Sequence, residues 1–125
     1  MVGPVNILLV EDNDDDAFLF ETSVKTLPVT VTHVRNAAKA MLRLSGNDPP
    51  PDLIVLDPAL PGISAAKFLE WVKANPPLQK TPICIYTGAS IIESSLKNAA
   101  RGAFYKSASK ADIRETVQQM CAFVD

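Results

Sequence analysis

Four apolar runs in this chain end on groups that could do chemistry. "NILLV" (6–10) gives way to Glu11 and Asp12, and "LIVL" (53–56) to Asp57. "PICIY" (82–86) leads to Thr87 and Gly88, and "AFY" (103–105) to Lys106. Three carboxylates, a hydroxyl and an ammonium are groups that bind charge or attack an electrophile. Each also has a plain reading when taken alone. An acid such as Asp57 commonly closes a strand and opens a turn. Glu11 and Asp12 suit a solvated loop before a helix, and a single Thr or Lys is usually a surface residue. Everything depends on whether the runs bring these groups to one place.

The runs at 6–10 and 53–56 are short and continuously apolar, as strands covered on both faces are. "EDNDDD" (11–16) then packs five acids into six residues. Asp14, Asp15 and Asp16 are assigned to the start of a helix, whose N-terminal dipole favours them, and not to a metal. Phe18, Leu19, Val24 and Leu27 supply that helix with apolar positions. "VTVTHV" (29–34) alternates β-branched residues as a strand near an edge does. His33, the only histidine, is read there as a half-exposed strand residue rather than a phosphodonor or ligand. A helix is expected over 36–44, a loop over 45–51, and a helix over 65–74 with Phe68, Leu69 and Val72 on one face. Trp71 reads as packing or surface. Ile91, Ile92, Ser95, Leu96 and Ala99 form a fourth helical stripe, and Ile113, Val117, Met120, Cys121 and Val124 a fifth. Strands thus alternate with helices five times, which predicts an α/β fold with a parallel sheet covered on both faces. Ligands of such sheets bind beyond the carboxyl ends of the strands. These five groups would converge on that edge.

Composition bounds the rest. With 125 residues, 47% hydrophobic and 21% charged, the chain is expected to be one globular domain over 1–125. Lys and Arg total 12 against 14 for Asp and Glu, a net charge of −2, which gives no basic footprint for nucleic acid. The apolar run near the N-terminus has no basic region before it, unlike a secretion signal, and no stretch approaches a membrane span. Cys84 and Cys121 lack metal or redox spacing and read as reduced core thiols. A cytoplasmic protein is expected.

Taken in order, these pieces resemble the CheY-like receiver domains of two-component response regulators, over essentially the whole chain. "LLVEDN" (8–13), "DLIVLDPALPG" (52–62), "ICIYTG" (83–88) and "FYK" (104–106) carry the resemblance. "VKANPPLQKTPICIYT" (72–87) is most similar to single-domain receivers associated with phytochrome-type kinases. The resemblance implies a doubly wound, five-stranded, flavodoxin-like sheet of order 2-1-3-4-5. It implies that Asp57 accepts a phosphoryl group from a sensor histidine kinase or phosphotransfer protein. It also implies Mg²⁺, held by Asp12, Asp57 and the backbone carbonyl of Ala59, with Glu11 acting through a water. Such a cation accounts for three carboxylates in one place, which repel one another without it. Lys106 would pair with Asp57 or a phosphoryl oxygen. The Thr87 hydroxyl and the N–H groups of Ala59 and Gly88 would cradle the phosphoryl group. Pro58 biases Asp57 toward extended backbone, which suits a strand end. The protein would then be a signalling phosphoacceptor, an enzyme at most toward its own phosphorylation and dephosphorylation. Its signal would pass to a downstream protein through the fourth helix, fifth strand and fifth helix, a face where homodimerisation stays open. With no output region after the last helix, the chain acts by contact or is one domain of a longer protein.

Three positions depart from the family pattern. The lysine is normally followed by proline, often as a cis peptide, and here by Ser107. The stretch before Lys106 is also short. Either "GA" (102–103) ends the fourth helix and the fifth strand is cut, or Ala99 and Ala100 end it and the helix is clipped. The second alignment is favoured, because a surface helix turn is lost more easily than part of a sheet. It puts Ala103 where the family carries a Tyr or Phe that swings inward on phosphorylation. Third, the usual glycine after "LPG" is Ala65. These departures motivate a competing expectation, a degenerate receiver acting as a protein-interaction module with weak or uncoupled phosphorylation. A stand-alone Asp-nucleophile hydrolase is disfavoured. Such enzymes need a second acid two residues on, where this chain has Ala59, and a substrate-binding cap for which it has no room.

Overall fold

The computed structural model describes residues 3–124. Five strands alternate with five helices: β1 Val5–Val10, α1 Asp14–Ser23, β2 Val29–Val34, α2 Ala37–Leu44, β3 Leu53–Leu56, α3 Ala65–Lys73, β4 Ile83–Thr87, α4 Ser94–Ala99, β5 Gly102–Tyr105 and α5 Lys110–Cys121. A 3₁₀ turn, Pro76–Leu78, connects α3 to β4. The strands form one parallel sheet in the order β2-β1-β3-β4-β5, the order that the resemblance implied.

The apolar runs lack alternation because both faces of the sheet are covered. Leu8, Val10, Ile54, Leu56, Ile83 and Ile85 pack on one side with Ala37 and Ala40 of α2 and Phe68, Leu69 and Val72 of α3. Ile7, Leu9, Leu53, Val55, Cys84 and Tyr86 pack on the other with Ala17 and Phe20 of α1 and Ile113, Val117 and Met120 of α5. Each large apolar side chain removed from water contributes about 1.5–3 kcal/mol, so the three central strands hold much of the stability.

Four of the helices open on a capping side chain. Asn13, Asn36, Ser64 and Ser109 accept from the backbone N–H of Asp16, Lys39, Lys67 and Asp112. Such a cap is worth about 1 kcal/mol. Gly62, at φ +82°, makes the left-handed turn between β3 and α3.

Two expectations are corrected. In α1 the inward stripe is Ala17, Phe20 and Ser23, followed by Val24, so Phe18 points to solvent and Leu27 lies beyond the helix. The helical phase is set by the positions that meet the sheet, and 18 is not among them. The helical stripe beginning at Ile91 does not start there. Ile91 and Ile92 precede α4, which has six residues, no capping side chain and no buried residue. Ile92 is nevertheless buried and Ile91 exposed. As the favoured alignment expects, Gly102 is not a helix terminator but the first residue of β5, paired with Cys84. β5 runs alongside β4 as far as Tyr105 opposite Thr87, with Arg101 N–H and Lys106 N–H bonding Ile83 O and Thr87 O at its two ends. The shortening therefore falls on α4, and Ala103 sits half-buried against the α3 side of the core.

Candidate functional site

Parallel pairing brings the carboxyl ends of β1, β3, β4 and β5 to one edge. Asp57 follows β3 and is tied to β1 through its own N–H and the carbonyl of Val10, 3.1 Å apart. Glu11 follows β1 and is held to β2 by a bond from its N–H to Val34 O at 3.0 Å. Both are buried, at 6% and 2% exposure, and Asp12 beside them is half-buried. The sheet geometry leaves these acids no alternative direction.

Lys106 is the centre of the cluster. Its Nζ lies 2.6 Å from Glu11 Oε1, 2.8 Å from Asp57 Oδ2 and 2.8 Å from Asp16 Oδ2. Burial works against the ammonium, but its hydrogen bonds to Asp16, Asp57 and Glu11 outweigh that and raise its pKa above the ordinary lysine range. Burial pushes the Glu11 carboxyl up to about 7, with the Lys106 hydrogen bond opposing the rise and the Asp57 charge adding to it. Tyr86, whose ring centroid is 5.9 Å from the same Nζ, is pushed up to about 12 by burial. Every buried polar side-chain atom among the described residues has a partner.

The remaining expected residues fall in place around Asp57. The Ala59 N–H donates to Asp57 Oδ1 at 2.9 Å. Thr87 is buried, and its Oγ1 accepts from the Ala89 N–H at 3.1 Å, which leaves the hydroxyl proton free to donate. Gly88 is exposed, and a Cβ there would meet only Lys106 Cδ at 3.8 Å, so its contribution is its backbone. Past Lys106 no described peptide bond is cis. The Ser107 hydroxyl instead donates to Asp112 Oδ2 at 3.2 Å and accepts from Ser109 N–H at 3.1 Å, joining the loop to the start of α5.

Glu11, Asp12 and Asp57 each offer a carboxylate oxygen, all within 4.8 Å of one another. An all-oxygen anionic set of this size fits a hard divalent cation such as Mg²⁺, Mn²⁺ or Ca²⁺, and not a thiolate-seeking metal.

Three residues belong to this edge that the sequence reading did not bring to it. Asp16 was assigned to the helix start alone, and it is there, yet its side chain reaches Lys106. It sits four residues before Phe20, on the inward stripe of α1, and that spacing is the signal that could have found it. Arg35 stands directly after β2, the one strand whose following residue was not considered. It donates to the backbone carbonyl of Asp12 at 3.1 Å and pairs with Asp14. His33 is half-buried in β2 as expected, but it is not remote from the acids, because its Nε2 lies 2.6 Å from the carbonyl oxygen of Glu11.

The chain is similar in sequence and fold to known proteins. The family model of the response regulator receiver domain matches residues 7–118. The response regulator Rcp1 of Synechocystis is 38% identical over 93 residues, covering 67% of this chain and 62% of that protein, so the chain spans under two thirds of that relative's length. A crystal structure of the phosphorylated cyanobacterial phytochrome response regulator RcpA has a TM-score of 0.79 at 28% identity, covering 98% of this chain and 94% of that one. The Mn²⁺-bound form of response regulator Rcp1 has a TM-score of 0.75 at 30% identity, covering 96% and 94%.

Proposed function

This chain belongs to the response regulator receiver domain family, and from that membership we propose that Asp57 accepts a phosphoryl group from a histidine kinase or phosphotransfer partner. The observation that carries the reading is the buried Asp57 carboxylate, with Oδ2 2.8 Å from Lys106 Nζ, Oδ1 held by the Ala59 N–H, and two more acids beside it. One Asp57 oxygen forms the new bond to phosphorus while the bond from phosphorus to the donor atom breaks and its electron pair leaves with the donor. Lys106 faces the negative charge that develops on the transferring oxygens. The Thr87 hydroxyl and the backbone N–H groups of Ala59 and Gly88 would bind those oxygens. Asp12, Asp57 and Glu11, with the Ala59 carbonyl, would hold Mg²⁺, which supplies positive charge to the phosphoryl group when bound. Similarity to a cyanobacterial phytochrome response regulator supports a phytochrome-type kinase as the donor. The protein acts as a signalling phosphoacceptor in the cytoplasm, not as a turnover enzyme, and passes its state to a downstream protein by contact.

Asp57→Asn tests this directly. Incubation with Mg²⁺ and acetyl phosphate should add one phosphoryl group to the wild-type chain by intact mass and none to the variant. Labelling that survives the substitution would remove Asp57 as the acceptor.

A further inference from the structure

Asp16 has no role in the phosphoryl chemistry above, yet it touches its central cation. Lys106 Nζ donates to Asp16 Oδ2 at 2.8 Å, the same distance as to Asp57. Glu11 Oε1 takes the third direction at 2.6 Å. An ammonium has three N–H donors, so three acids saturate it. The three are not equivalent. Glu11 and Asp57 belong to the trio that can share a divalent cation, and Asp16 lies outside that trio with its side chain 40% exposed.

Asp16 is also held from a separate element. It sits in the first turn of α1, where the Asn13 side chain accepts its backbone N–H at 2.9 Å. Four residues on, Phe20 packs edge-on against Tyr86 with ring centroids 5.6 Å apart, and the Tyr86 ring faces the Lys106 ammonium. α1 therefore grips the lysine through a carboxylate and supports the ring beside it.

On the receiver reading just given, we propose that Asp16 is a positioning residue that keeps Lys106 beside Asp57 when Glu11 and Asp57 share a divalent cation. Once those two carboxylates share a doubly charged ion, their pull on the ammonium weakens, and the lysine meets a like charge nearby. The lysine stem is a flexible four-carbon chain that would then turn toward solvent. Asp16, of the three acids, keeps its full charge for Lys106.

Asp16→Asn removes the charge with little change in shape, and Asp16→Glu restores it on a longer arm. Three readouts are compared with wild type: the Mg²⁺ binding isotherm, the rate of Asp57 labelling by acetyl phosphate, and the acylation of Lys106 by an amine-reactive reagent, followed by peptide mass spectrometry with and without Mg²⁺. Asp16→Asn should bind Mg²⁺ as wild type does, because it is outside the donor set. Its labelling should slow by roughly tenfold to a hundredfold, the scale of a misplaced catalytic group. Its Lys106 should be acylated faster than wild type, most clearly in Mg²⁺, and Asp16→Glu should recover much of both losses. Wild-type acylation of Lys106 in the Mg²⁺-loaded variant would overturn the proposal. A wild-type chain that takes no label at Asp57 would sink the receiver reading instead, while the acylation readout, which needs only Mg²⁺, would still decide the role of Asp16.

Discussion

Lys106 makes the burial of Glu11 and Asp57 tolerable. The two carboxylates are 2% and 6% exposed, and the lysine is the one cation within 3 Å of both among the described residues. A buried charge that loses its partner is left without either water or a counter-ion. Lys106→Met keeps the apolar stem and removes the charge. In metal-free buffer it should lower the unfolding free energy by about 3–5 kcal/mol, read from urea denaturation. Addition of Mg²⁺ should recover part of that loss, because the remaining acids then have a cation. A variant as stable as wild type without metal would mean that the acids do not depend on the lysine. At this scale the sequence was readable wherever a polar residue directly followed an apolar run: Glu11, Asp12, Asp57, Thr87 and Lys106 all lie where that rule puts them. Asp16 escaped because a helix N-terminus already explains an aspartate there, so no residual oddity pointed to a second role. Its spacing to Phe20 marks the inward face of α1, but nothing local names Lys106, 90 positions on, as its partner.

Among the elements, α4 is the weak one. It has six residues, Glu93 at its start offers no side-chain hydrogen bond, and none of its residues is buried. The other four helices each have a capping side chain and bury an apolar stripe. Short uncapped helices are marginal without tertiary packing. Glu93→Ser supplies the missing acceptor for the exposed N–H groups. It should slow hydrogen exchange within 94–99 and add about 0.5–1 kcal/mol to stability, measured by urea unfolding. No change in exchange would show that a missing cap is not what loosens α4. The strands were more legible than this helix for a physical reason. A covered strand must be apolar along nearly its whole length, and 53–56 and 83–86 meet that demand. The stripe at Ile91 and Ile92 satisfied helical spacing but lacked a cap, and Ile92 found its burial from a loop. Gly102 left two alignments open, and the favoured one holds. It looks like a terminator, but a Cβ there would come within 2.9 Å of ring atoms of Phe104 and Phe123, so close packing over β5 accounts for the glycine.

For the whole molecule, the sheet collects chemistry at one edge, and the open question is how far its effect travels. Thr87 and Lys106 end β4 and β5, and the segment from Ala89 to Glu93 leads from Thr87 straight into α4. A cavity of about 320 Å³ lies between that segment and the start of α3, lined by Pro58, Ala65, Thr87, Ile92 and Leu96 among others. On the proposed phosphorylation, space beside Thr87 and a short, uncapped α4 would let this segment rearrange if the Thr87 hydroxyl turned toward a phosphoryl oxygen. Ala103 offers no large aromatic ring to follow it, so any response should be carried by the β4–α4 segment more than by β5. Mg²⁺ with beryllofluoride, a phosphoryl mimic, tests this by amide chemical shifts. Shifts are expected at 57–59, 87–88 and 106, extending through 89–99, with smaller changes along 102–105. A response confined to the residues around Asp57 would favour a receiver whose phosphorylation is uncoupled from its outer surface. Equal changes along β5 would show that an alanine at 103 still transmits, and that the signal does not depend on a swinging ring.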